Sequence, residues 1–335
     1  MGSSAEPTLV DPTARLVYEA IQRLGRDAEP EQLADAVKRL ELGLPAEDEF
    51  SVLLCWLGRC RLVHKLDQHQ APPGSKEQYR IPDLLVVFDL EDHRIAALVE
   101  VKATKGDSLS WRPDYYEALQ RYGEQLGLPV LVAWKWKPAG LWALFELRNF
   151  ERTARNYKLA FKTAAKQNLM GLLAGDFVVA FKSGAGLHIR MRKVEKLGHH
   201  EGENKVPVEW LVRVEDAYFT NGEGARVDKL GPGLWPLLLS APLEEESRFE
   251  EGYITQSFVI PAGELAEWAH RAMVVLLEFF QDGVDSPLNW REILLNQRVP
   301  IECSVLRKAA QEGISKGFVR YVLRQEPITK PDFLS

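Results

Sequence analysis

The chain has 335 residues, 46% hydrophobic and 27% charged, with a formal net charge of −6. Those are the proportions of an ordinary globular protein with room for two domains, and no run of about 18 apolar residues is present to cross a bilayer. Its three cysteines, Cys55, Cys60 and Cys303, show no CxxC pairing. That argues against a zinc ribbon and for a reducing compartment; with no basic and apolar leader read at the N-terminus, a cytoplasmic protein is expected.

In chain order, Asp11-Pro12 opens a helix ending near Gly25, Ala28–Leu42 forms a second and Pro45–Leu57 a third. Residues 1–44 are expected to be a helical extension. Arg61–Gln68 reads as a strand, followed by the loop APPGSK, and Ile81–Phe88 and Ile95–Ala103 as two further strands. The loop KGDSLSWRP leads into a helix over Asp114–Leu126, stopped by Gly127 with Pro129 beyond it, and Val130–Trp136 is another apolar strand. The order is α-β-β-β-α-β, an α/β architecture with a mixed sheet over residues 45–140.

The stretch IPDLLVVFDLEDHRIAALVEVK (81–102) places acids where strands should carry none. In an antiparallel hairpin centred on Glu91-Asp92, residues whose numbers sum to 183 lie opposite each other. Asp83 then faces Glu100 and Phe88 faces Ile95. Opposed residues share a face at about 5 Å between Cβ atoms, and Lys102 joins that face because side chains alternate. Two carboxylates and an amine thus meet at one end of an apolar sheet, where a divalent cation would offset the like charges.

Pro82-Asp83, Glu100-Val101-Lys102 and the αβββαβ order together resemble the PD-(D/E)xK nuclease superfamily, with a core like that of restriction enzymes and archaeal Holliday-junction resolvases. The resemblance spans about residues 45–137. It implies a metal-dependent nuclease, with DNA endonuclease activity before RNA cleavage, in restriction, defence, repair or mobile-element processing. Asp83, Glu100 and the Val101 carbonyl would hold Mg²⁺ (or Mn²⁺), a hard cation suited to oxygen ligands, and Lys102 would orient or help deprotonate the attacking water. The resemblance also points to an acid on the preceding helix, Glu49 before Asp48, as a further ligand. It points to Gln120, on the helix face of Tyr116, as a catalytic residue. Ser108 and Ser110 are weaker phosphate contacts. The alternative is a non-catalytic nucleic-acid-binding or assembly module that keeps the fold.

Downstream, eleven basic residues against three acids between Arg148 and Lys196 make a local basic block on an acidic chain. A helix over Arg155–Leu173 would align Arg155, Lys158, Lys162 and Lys166 as one stripe for tracking a nucleic-acid backbone. Trp134-Lys135-Trp136-Lys137 alternates at strand period; Lys135 and Lys137 are candidate phosphate contacts, and the tryptophans are expected in the core. Residues 141–260 read as a strand-rich accessory region with acidic loops at GHHEGENK and APLEEESRFEEG, and 261–335 as helical, the last unit being packing helices in preference to a helix-turn-helix around Gly313. The expected partner is nucleic acid, with a homodimer or multi-protein assembly in view and no membrane.

Overall fold

The computed structural model describes residues 20–21, 46–67, 70, 72, 74–197, 209–263, 265–280 and 303–334. The helices expected over Asp11–Gly25 (20–21 apart, which are helical) and Ala28–Leu42, the His199-His200 loop and the segment NWREILLNQ lie outside the described residues. The chain divides into two compact units, one of residues 1–176, 281–302 and 324–335, the other of 177–280 and 303–323. The division falls at Asp176 rather than at residue 140, and the last 75 residues contribute to both units instead of forming a helical region of their own.

The first unit is a mixed α/β layer. Helix α1 (46–56) precedes strands β1 (Cys60–Lys65), β2 (Leu84–Asp89) and β3 (Arg94–Thr104). A short strand β4 (Ser108–Trp111) stands where the sequence suggested a loop, before helix α2 (Pro113–Leu126), β5 (Val130–Trp136) and β6 (Leu141–Glu146). The sheet order is β1-β2-β3-β5-β6, antiparallel except for the parallel β3–β5 pair. A parallel neighbour requires a crossover, and α2 supplies it. Arg112 is extended and Pro113 pre-sets the first turn of α2, while Gly127, at φ 65°, closes it in the left-handed region that glycine tolerates.

Both faces of the sheet are covered, so β3 reads as a near-continuous apolar run. On one face Leu98, Val132, Trp134, Ala143 and Phe145 pack with Tyr116 and Leu119 of α2. On the other, Phe50 of α1 meets Trp142 at 4.8 Å between ring centroids. Hairpin β2–β3 pairs Leu84 with Val99, Phe88 with Ile95 and Asp89 with Arg94, so the turn is centred on Glu91-Asp92.

In the second unit, strands β9 (Val178–Phe181), β10 (Gly186–Lys196), β11 (Trp210–Thr220), β12 (Arg226–Val227), β13 (Glu244–Glu250), β14 (Tyr253–Val259), β15 (Leu265–Trp268) and β16 (Val319–Leu323) form two sheets. Their orders are β12-β11-β10-β14-β13 and β15-β9-β16. The acidic stretch taken for a loop is the edge strand β13, exposed at every position; carboxylates along an edge deter pairing with another chain. No helix-turn-helix forms around Gly313. Helix α3 (Cys303–Lys316) runs through that glycine, whose missing Cβ makes room for Val319, since a Cβ there would lie 2.5 Å from Val319 Cγ2. The chain turns only at Gly317, with φ 79°, and continues as β16.

Candidate functional site

The hairpin register carries one step past its last pair, setting Asp83 beside Glu100 at the end of the sheet. Asp83 is held on both sides: its carbonyl accepts the Leu66 N–H at 2.9 Å, and its Oδ2 accepts the Val101 N–H at 2.7 Å. Glu100 is 2% exposed. Its Oε1 accepts hydrogen bonds from both Lys102 Nζ and Tyr115 Oη. Its Oε2 is buried and has no hydrogen-bond partner among the described residues. Lys102 Nζ also donates to the Val101 carbonyl at 3.0 Å.

The electrostatics follow from that crowding. Burial, then the negative charges of Glu100 and Glu47, push the Asp83 carboxyl up to about 7, against the pull of the Lys102 ammonium and the Val101 N–H. Burial works to lower Lys102, but Glu100, Asp83 and Tyr115 outweigh it and hold the ammonium above its ordinary range. Burial and Glu100 raise the Tyr115 phenol, which stays protonated and serves as a donor. The cluster is short of positive charge.

Among the described residues no three His, Cys, Asp or Glu side chains gather as a metal site. Two carboxylates and the Val101 carbonyl are nonetheless a fitting donor set for a hard cation that keeps most of its own waters. The orphaned Glu100 oxygen is an unmet demand for such a partner, because a buried carboxylate oxygen without one is costly.

The α1 acid coupled to this cluster is Glu47, which raises Asp83 and pairs with Lys65 at 2.7 Å. Glu49, expected as a ligand, is turned away: Lys135 Nζ and Trp142 Nε1 bind its Oε1 at 2.6 and 3.0 Å. Two residues along a helix is a rotation of about 200°, so Glu47 and Glu49 face opposite ways. Lys135 is thereby committed to Glu49 rather than offered to a phosphate. Lys137 lies exposed in the turn after β5.

Gln120 also stays away from the carboxylates. It is exposed, donates to Glu124 at 2.8 Å, and lines a cavity of about 270 Å³ with Tyr116 and Arg148. The α2 residue that reaches the cluster is Tyr115, which sequence reasoning passed over. A positional signal existed, since a crossover helix begins at the C-terminal end of the strand it leaves, and that end of β3 carries Lys102. Tyr115 sits edge-on to Trp111 at 5.1 Å, and Lys102 Nζ is 5.9 and 5.7 Å from the Trp111 and Tyr115 rings.

The basic helix expected over 155–173 is not formed. Arg155 lies in a bend closed by Thr153 and Asn156, with a 2.8 Å bond from Thr153 N–H to the Asn156 carbonyl. Tyr157–Ala160 is strand β8, placing Lys158 opposite Ser110 of β4, and β8 pairs on its other side with β7 (Glu151–Arg152). Lys162 and Lys166 sit on a separate helix of six residues, Phe161–Lys166. All four cations are exposed, on three different elements. The reason is tertiary. Tyr157 stacks on Tyr116 at 3.7 Å, and Phe161 packs against Trp134 and Trp136, both at 5.1 Å. The tryptophans are therefore packed against Phe161, and Trp134 is fully buried.

No protein family's sequence profile matches the chain, and no curated protein matches it. Among solved structures it is similar to Hjc of Archaeoglobus fulgidus, a Holliday junction resolvase from an archaeal hyperthermophile. Sequence identity is 24%, the match covers 36% of this chain and 89% of that one, and the TM-score is 0.29.

Proposed function

We propose that the chain is a metal-dependent nuclease that hydrolyses phosphodiester bonds of nucleic acid, as an endonuclease on DNA. The observation that carries this reading is the buried, unpartnered Glu100 Oε2 beside Asp83 and Lys102. Such a trio fits a centre that takes a divalent cation and presents a proton donor to a phosphate. Asp83, Glu100 and the Val101 carbonyl would hold Mg²⁺ or Mn²⁺. Bound there, the cation would polarise a phosphate oxygen and acidify a coordinated water.

The chain's own groups divide the remaining work. Tyr115 fixes the Glu100 rotamer through its hydroxyl, and the Val101 N–H fixes that of Asp83. Lys102, kept as an ammonium, donates to the attacking water or to a non-bridging phosphate oxygen and offsets the charge that develops there. It can serve as a base only once its carboxylate neighbours are engaged elsewhere.

The test is incubation with plasmid, linear duplex and single-stranded DNA and with RNA, in Mg²⁺, Mn²⁺ and EDTA. Cleavage in metal is expected, and its loss by about 100-fold or more in Lys102→Ala. No metal-dependent cleavage of any substrate would end the enzyme reading and leave a binding module on the same fold.

A further inference from the structure

The cations around the cluster differ in one respect. Lys65 faces Glu47, Lys102 faces Glu100 and Lys135 faces Glu49. Arg80 is exposed, and among the described residues it has no carboxylate within ion-pair reach. Its guanidinium carbon lies instead 4.3 Å from the centroid of the Tyr115 ring. That ring's hydroxyl is the one bonded to Glu100, so the guanidinium is a single tyrosine side chain away from that buried carboxylate.

We infer that Arg80 is a phosphate-binding residue, taking the backbone phosphate of a nucleic acid next to the one presented to Asp83, Glu100 and Lys102. This rests on the nuclease reading for the location of the scissile phosphate. Stacking on an aromatic ring occupies the face of a guanidinium and leaves its in-plane N–H donors free, and that planar fork matches two phosphate oxygens. The position is also built in advance. The Arg80 N–H bonds the Ala118 carbonyl at 3.2 Å, Arg121 Nε bonds the Gln78 carbonyl at 2.8 Å, and Pro82 stiffens the link to Asp83. Backbone tied to α2 on this side costs little further ordering when a ligand arrives. Electrostatically, Asp83, Glu100 and Glu47 outnumber Lys102 and Lys65 by one charge; Arg80 offsets that deficit from outside the cluster, and a divalent cation would make the mouth of the site positive, as a phosphodiester requires.

The experiment is binding of a fluorescent DNA duplex in EDTA across a salt series, for wild type, Arg80→Ala, Arg80→Lys and Tyr115→Phe. Thermal melting of each variant monitors the fold. Arg80→Ala is expected to weaken binding about threefold to tenfold and to lower the salt slope by about one. Arg80→Lys should restore the slope and only part of the affinity, since it returns the charge without the planar fork. Tyr115→Phe keeps the ring, so it should leave the slope intact while slowing cleavage through the lost bond to Glu100. An unchanged affinity and slope in a folded Arg80→Ala protein overturns the assignment, even where Lys102→Ala abolishes cleavage. A wild type that never cleaves while Arg80→Ala lowers the slope overturns the nuclease reading and leaves Arg80 as a phosphate contact.

Discussion

Residues 81–102 and residues 155–174 both carry charge at a regular spacing, and the regularity has a different meaning in each. In the first, acids interrupt an apolar strand pair, and the pairing that buries Leu84, Val86 and Phe88 also sets Asp83 beside Glu100. The charges have no freedom to be elsewhere, because a slip of one residue would turn every apolar side chain of the hairpin to the other face. In the second, basic residues recur at helical steps, but the apolar residues between them serve two periods equally well. Tyr157 and Leu159 fit a strand, and neighbouring β4 offers an unpaired edge. Charge spacing on a surface follows the backbone and does not direct it; charge placed inside a sheet is fixed by the packing around it.

The largest effect that would break this contrast is in the hairpin. In the metal-free protein Asp83 holds its proton up to about pH 7, whereas in the unfolded chain it releases it near 3.8. The folded state therefore binds more protons between those values, and stability falls as pH rises through that window. Asp83→Asn removes the fall, worth up to about 4 kcal/mol at high pH. Denaturant unfolding from about pH 5 to pH 8 would show it, and an unchanged pH slope in the variant would mean that Asp83 is not the strained group.

Next comes α1. Glu49→Ala removes the carboxylate to which Lys135 Nζ and the Trp142 N–H donate in a buried setting, Glu49 being 5% exposed. A loss of about 3 kcal/mol is expected. Cleavage measured where the variant is folded should stay within about threefold of wild type, since Glu49 faces away from the carboxylates. A 100-fold loss of activity would return Glu49 to the site.

In the second region, Tyr157→Ala removes the stack on Tyr116 and should cost about 2 kcal/mol, as the ring is only half-buried. A variant as stable as wild type would remove the tertiary explanation for β8. The smallest effect concerns the lysines. Lys158 lies on a strand, and Lys162 and Lys166 on a helix. Alanine replacements of the two groups should change nucleic-acid affinity additively to within about 0.5 kcal/mol. A strongly coupled triple variant would point back to one continuous stripe.

Much of this molecule was legible in the chain itself. The hairpin and its register followed from two apolar runs and a charged turn, and α2 and β5 from the stop at Gly127 and the apolar run after Pro129, because these are local rules with local causes. What the tertiary structure alone decided was which side chain of each helix meets the sheet end. Glu47 rather than Glu49, and Tyr115 rather than Gln120, depend on the rotation of α1 and α2 about their own axes, and that rotation is set by Phe50 against Trp142 and by Tyr116 against Tyr157. Helical spacing states which residues share a face but not where that face points. Packing partners distant in sequence settle the direction, and here they placed Arg80 over the tyrosine that holds Glu100.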